Sequence, residues 1–281
     1  MVRRIFLPFT LALLIASGGL HAAPPTLVIV ELFTSEGCSD CPPADTLLEK
    51  LIATQPIAGV AIIGLGQHVD YWDRLGWKDR FSSAALTSRQ RLYQARFSTE
   101  SIYTPQMVVD GRAEFVGSDA TAARRAIERS RTEPHGVVTL TIDAARDRWA
   151  ESPAPHADSP APYAGSPAPH IGVSVSASDL PHLGRGDQAD LIVAVTESGL
   201  RTDVTRGENH GRTLTHAPIV RYMATIGQVA AGASTSISAR ADIPIAADWQ
   251  LDRLALVSFV QEVRGRTILA SASVPLKNTR P

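Results

Sequence analysis

The sequence carries almost no excess charge of either sign. Lys plus Arg is 27 and Asp plus Glu is 28, so it lacks the basic surplus that would make nucleic acid its main partner. After residue 23 it has no apolar run long enough to span a bilayer. There is no phosphate-cradling glycine loop and no nucleophilic serine motif, and Gly64-Leu65-Gly66 is too short to count as either. Cysteine is scarce: the chain has two, Cys38 and Cys41. What remains, 281 residues with 44% hydrophobic and 20% charged side chains, reads as a globular chain long enough for two ordinary domains.

The first residues have a purpose of their own. Arg3 and Arg4 give a positive start, Ile5 to Ala16 is nearly unbroken apolar sequence, and small residues follow as far as His21-Ala22-Ala23. This is the pattern of an export signal, residues 1–23, cleaved near Ala23 or Pro24. The expected location is therefore periplasmic or secreted, with no membrane span after cleavage. Arg3-Arg4-Ile5-Phe6-Leu7 loosely resembles a twin-arginine signal with unusual flanks, which leaves the export route open. In an oxidising compartment the two thiols can pair.

Local patterns give an element order. Leu27 to Phe33 is a β-rich apolar run, expected as a buried parallel strand. A Ser/Gly/Asp turn follows, and from Pro42 the pattern is helical, with Leu47, Leu48, Leu51 and Ile52 on one face. Gly59 to Leu65 reads as a second strand and Lys78 to Phe97 as a second helix. Pro105 opens a strand to Val109, Asp110-Gly111 signals a hairpin, and Glu114 to Val116 returns. Ser118 or Asp119 caps a helix running to about Arg131. After Glu133-Pro134 the character changes. Val137–Ile142, Ile171–Ala177, Leu191–Thr196, Thr235–Ala239, Leu254–Val260 and Thr267–Val274 read as strands. A Pro/Ala tract at about 150–170 reads as an exposed insert.

The spacing of the two cysteines carries the chemistry. Glu36-Gly37-Cys38-Ser39-Asp40-Cys41-Pro42-Pro43 lies between a buried strand and an amphipathic helix, the context in which Cys-X-X-Cys reads as thioredoxin-like. Two intervening residues let the sulfurs meet, and the turn before a helix offers backbone N–H groups and a positive dipole end to a thiolate. Cys38 is then the attacking sulfur and Cys41 the resolving one. Three other uses of the pair stand beside this: a structural disulfide, a Cu(I) or Zn site with a further ligand such as His68, or two inert thiols. Thr104-Pro105 begins the third strand, where the thioredoxin superfamily places a cis proline whose preceding residue offers backbone groups to a substrate chain.

Several stretches resemble a known group. Glu31 to Asp45 (Glu-Leu-Phe-Thr-Ser-Glu-Gly-Cys-Ser-Asp-Cys-Pro-Pro-Ala-Asp), His68 to Asp73, Gly76 to Asp79, Tyr103 to Gln106, Gly207-Glu208-Asn209, Gly211-Arg212 and His216 are similar to an uncharacterised family of secreted bacterial proteins in the thioredoxin-like superfamily. The resemblance implies an α/β thioredoxin-like domain at 24–134. The strands after it are expected to form a mostly antiparallel β-sandwich at 135–281. One feature departs from ordinary thioredoxins: two prolines follow Cys41. They place the helix start near Pro42 or Pro43 and leave Cys38 about a turn outside it. With Asp40 adding negative charge, the pair is expected to be less oxidising than the strongest oxidants of the superfamily.

Other residues complete the expected site. Glu31, in the first strand, is a candidate buried acid that takes the second cysteine's proton. His68 and Asp70 follow the second strand at the sheet end where ligands gather. Arg206 to His216 is dense in polar groups and reads as a hairpin turn, with docking onto the redox face as the alternative. The expected function is an exported thiol–disulfide oxidoreductase acting on exported protein thiols or disulfides. It would need a recycling partner and no cofactor beyond the cysteines. The alternatives are a periplasmic Cu(I) protein using Cys38, Cys41 and His68, and a non-catalytic interaction module with a structural disulfide.

Overall fold

The computed structural model describes residues 24–143, 170–230 and 236–276. The expected export signal and all but the last residue of the Pro/Ala insert lie outside them. Among the described residues, no helix is long and apolar enough to cross a membrane.

The first half alternates strand and helix. Strand β1 (Thr26–Thr34) is buried along both faces after its first two residues, as its Val/Ile/Leu-rich content favours despite Glu31 in its middle. Helix α1 (Pro42–Thr54) opens on its two prolines, where a missing N–H costs nothing. It ends at Gln55, which adopts left-handed φ of 43°. Strand β2 (Val60–His68) lies parallel to β1. Helix α2 (Ala84–Phe97) starts later than the Lys78 expected from its pattern. Asp79 instead spends both carboxylate oxygens on the backbone N–H groups of Glu36 and Phe81, at 2.9 Å each, and Ser83 caps the helix by accepting from the Ala85 N–H. Strands β3 (Gln106–Val109) and β4 (Ala113–Val116) form a hairpin turned at Asp110 and Gly111, both at positive φ. Asp119 caps helix α3 (Ala120–Ser130) by accepting from the Thr121 and Ala122 N–H groups.

Among the described residues the second half is built of strands, with one 3-10 turn at Leu251–Arg253: β5 (Val137–Ile142), β6 (His170–Ser178), β7 (Gln188–Glu197), β8 (Arg201–Asp203), β9 (Thr213–Thr215), β10 (Ile219–Ala230), β11 (Ile237–Pro244), β12 (Leu254–Glu262) and β13 (Ile268–Pro275). Two layers form. One is an eight-stranded sheet of order β13-β12-β7-β10-β2-β1-β3-β4, and the other a three-stranded sheet of order β11-β6-β5. Leu191, Val193, Leu256 and Ala270 of the large sheet pack against Val173, Val175 and Ile243 of the small one. On the first half, Val28, Val30 and Leu32 meet Leu48 and Ile127 of α1 and α3.

The expected break at 134/135 is not a break in the sheet. Strand β10, which no local pattern announced, pairs with β2 in parallel at Ile219 and Gly66, and antiparallel along β7. Gly66 permits this join. Its N–H donates to the Pro218 carbonyl at 2.7 Å, and a Cβ there would sit 3.0 Å from that same oxygen.

Candidate functional site

The site lies where β1 and β2 end and β3 begins. Cys38 and Cys41 form a disulfide just ahead of α1, with Cα atoms 5.4 Å apart. Cys41 holds the N-cap position without a side-chain cap, and its carbonyl accepts from the N–H groups of Ala44 and Asp45. Thr104–Pro105 is a cis peptide. The β1–β3 register, which pairs Phe33 with Gln106, brings Pro105 level with Thr34 at the mouth of the cysteine loop. Trp72 spans the two: its indole N–H donates to the Thr104 hydroxyl at 2.8 Å, and its Cβ would lie 3.2 Å from a Cβ on Gly37.

Both cysteines are nearly inaccessible, each with 1% of its surface exposed. The hairpin made by β8 and β9 closes over their loop. The Asn209 amide, itself buried, donates to the carbonyls of Glu36 and Cys38 at 2.9 Å each. The Arg212 guanidinium, 3.0 Å from Asn209 Oδ1, holds that amide in place. Glu208 accepts from the N–H and hydroxyl of Ser39. Gly207, at φ of 76°, fits against Trp77, whose Cβ is 3.0 Å from where a Cβ would be. The Arg206–His216 segment is thus both a hairpin and a docked one.

Behind Cys41 lies a small cavity of about 10 Å³, room for roughly one water-sized sphere. Thr34, Glu36, Cys41, Asp45, His68 and His216 line it. Asp45 lies one helical turn past Cys41, so the two share a face of α1. One of its oxygens accepts from Thr34 at 2.7 Å and the other has no partner. His68 Nδ1 lies 2.6 Å from Asp79, while Nε2 is buried without a partner. His216 Nε2 lies 3.3 Å from Thr202 Oγ1 and 3.3 Å from Glu36 Oε1, the latter without hydrogen-bond geometry. The two imidazoles meet edge to face, 5.2 Å apart. Burial pushes the Asp45 carboxyl above its ordinary value, with His68 and Thr34 offsetting part of the rise. Burial also opposes a charged His68, but Asp79 against its ring outweighs this and holds the imidazole above its usual value.

The expected site residues divide into two groups. Cys38, Cys41, Thr104, Pro105 and His68 gather at this end of the sheet. Asp70 does not join them: it accepts from Thr87 at 2.6 Å, in α2. Glu31 is misplaced for the proton role assigned to it. It faces α2, where Arg89 engages it through two bonds at 2.6 and 3.0 Å, and Tyr93 and Gln67 also donate to it. Burial raises the cost of its charge, yet Arg89 and these donors keep the carboxyl below its ordinary range. The acid on the cysteine side is Asp45, which sequence reasoning passed over although its i+4 spacing from Cys41 was visible. Of the expected copper set Cys38, Cys41 and His68, the two sulfurs are bonded to each other here and offer no thiolate, while Cys41 and His68 line the same cavity. Among the described residues, the donors that do converge are those of Asp45, His68 and His216, all within 4.8 Å of one another.

The geometry therefore defines an α/β protein with a covered Cys-X-X-Cys disulfide at a helix start, set beside a cis proline. By sequence the chain belongs to the family described as Protein of unknown function (DUF1223), whose pattern matches residues 29–261. Comparison with curated proteins finds no match. A solved structure of protein AGR_C_4864 from Agrobacterium tumefaciens is similar, with TM-score 0.61 at 24% identity, over 92% of this chain and 99% of that one. HBP35 of Porphyromonas gingivalis is also similar, with TM-score 0.57 at 12% identity, over 92% of this chain and 78% of that one. At these identities the likeness speaks for the fold alone.

Proposed function

We propose that this protein is an exported thiol–disulfide oxidoreductase whose first half is thioredoxin-like. The order β2-β1-β3-β4, with β1 and β2 parallel and β3 and β4 antiparallel beside them, supports that reading of the fold. A single observation carries the chemistry: a disulfide spanning a separation of three residues, at a helix start and level with Thr104–Pro105. A bridge closing so small a ring removes only about 2 kcal/mol of unfolded-state entropy, against about 3 for a 15-residue loop. Stapling is a weak reason to keep it; exchange is a better one.

In the oxidising direction a substrate thiolate attacks Cys38 Sγ. A substrate–Cys38 bond forms, the Cys38–Cys41 bond breaks, and Cys41 leaves as a thiolate. A second substrate thiolate then displaces Cys38, so the substrate gains a disulfide and its two electrons stay on the cysteine pair. In the reducing direction the steps reverse. Thr104 and Pro105 present backbone to the substrate chain. The covered sulfurs add one requirement, that the hairpin tip carrying Glu208 and Asn209 withdraws before attack.

Trapping with Cys41→Ala in exporting cells tests the proposal. Covalent adducts that vanish on adding Cys38→Ala are expected, and their absence counts against exchange. The 1% exposure of the sulfurs favours one competing reading, an interaction module with a structural disulfide. That reading requires the bridge to resist reduction by a glutathione buffer.

A further inference from the structure

The cavity behind Cys41 is lined by buried polar atoms of Glu36, Asp45 and His68 that have no hydrogen-bond partner, and such atoms call for an explanation. Among them are His68 Nε2 and Asp45 Oδ1, and the His216 ring lies 5.2 Å from that of His68. We propose that Asp45, His68 and His216 form a binding site for a zinc-type divalent transition metal, joining the hairpin to the redox face. The inference goes beyond the oxidoreductase reading and does not depend on thiol exchange.

Four observations support it. The donor set, one carboxylate oxygen and two imidazole nitrogens, is one that zinc, cobalt and their neighbours accept. Its three ligand atoms lie within 4.8 Å of one another. Metal–ligand distances of about 2.0–2.2 Å place donors up to roughly 4 Å apart around one ion, so small side-chain shifts complete the site. His68 is already held by Asp79 at 2.6 Å on its other ring nitrogen, the carboxylate–histidine arrangement that orients metal-bound imidazoles. Finally, the cavity has room for about one small sphere.

The sources of the ligands give the site its meaning. Asp45 comes from α1 and His68 from the end of β2, while His216 lies between β9 and β10. An ion held by all three fastens the segment that closes over Cys38 and Cys41.

The test uses the purified full chain with its disulfide intact, so that no thiolate competes for metal. Cobalt(II) titration at pH 8 is expected to give one equivalent of binding, with the visible absorption of a low-coordinate site that zinc displaces. Zinc is expected to raise the thermal midpoint of the wild-type protein. His68→Ala and His216→Asn should abolish both effects, and Asp79→Asn should weaken binding by about 10- to 100-fold. His182→Ala, at an exposed histidine, should change nothing. If wild-type protein shows no cobalt absorption and no zinc-induced shift, the proposal is overturned, whatever the variants do. Binding that survives His216→Asn in a folded protein overturns it equally. Adduct trapping with Cys41→Ala is independent of all these outcomes, so the two proposals fail separately.

Discussion

The hairpin over the cysteines makes a quantitative prediction through Asn209. Its amide bridges two carbonyls, those of Glu36 and Cys38, and it is itself fully buried. Asn209→Ala removes both bonds. The Glu36 carbonyl is then buried without its partner, at a cost of about 1–3 kcal/mol, while the Cys38 carbonyl keeps the Cys41 N–H at 3.3 Å and loses about 0.5–1.5 kcal/mol. Closure of the hairpin should therefore weaken by about 2–4 kcal/mol. If reduction requires the tip to lift, the open population rises by the corresponding factor, about 30- to 900-fold. The assay is the rate at which glutathione reduces the Cys38–Cys41 bond, followed by quenching with a thiol-blocking reagent. The variant should react at least tenfold faster, while its unfolding midpoint, read in parallel, stays well above the assay conditions. Glu208→Ala, whose contacts to Ser39 are exposed, should accelerate reduction far less. A folded Asn209→Ala protein reduced at the wild-type rate would refute the gate, because the sulfurs would then be reached by another path.

Three further outcomes follow from the same geometry. Glu31→Gln leaves Arg89 charged and buried without its counterion, so urea unfolding should show a loss of about 3–5 kcal/mol, with no change in the reduction rate of the disulfide on the other side of the sheet. Glu31 also sets a pH dependence. Its carboxyl is held below its ordinary value in the folded chain, so its ionisation contributes stability above the unfolded value of about 4.3, and that contribution is lost as pH falls through the folded value. The urea midpoint should drop below about pH 4 in wild type and drop less in Glu31→Gln. Gly66→Ala forces a methyl to within 3.0 Å of the Pro218 carbonyl, which should cost about 1–3 kcal/mol by overpacking and speed disulfide reduction by loosening the start of β10.

Much of the first half was legible because its signals are local. Pro42 starting a helix, Asp110-Gly111 turning a hairpin and Asp119 capping α3 each act within a few residues of themselves. Strand β10 was not legible. Its register shifts between Val220 and Tyr222 and again between Thr225 and Gly227, and each shift breaks the alternation by which a strand announces itself. The acid beneath the cysteines was misassigned for another reason. β1 is buried on both faces, so alternation cannot tell which face meets α1. The structure puts Leu32 and Thr34 on that face and Glu31 on the opposite one, against Arg89 and Tyr93. The contact from Asn209 to Cys38 joins residues 171 apart in sequence, a pairing no periodicity encodes.

That long-range contact bears on what the second half is for. The hairpin belongs to the connection between β7 and β10, and both strands are locked into the large sheet. Where β10 begins, its position is fixed by β2 through Gly66 and Pro218, and Ala217 is buried in the same apolar cluster as Leu48 of α1. The segment from Gly207 to Ile219 is thus held at both ends, by Trp77 and Asn209 at the tip and by β2 at the base. A chain ending at residue 134 would lose all of this. The cysteine loop would stand uncovered, the Glu36 and Cys38 carbonyls would lose Asn209, and the edge of β2 would be open to any passing strand. The first half alone holds the disulfide, the helix start and the cis proline but not their closure. The β-rich half therefore supplies part of the site, and under the proposed function Gly66 and Asn209 bear on access to the disulfide as much as the residues between the cysteines do.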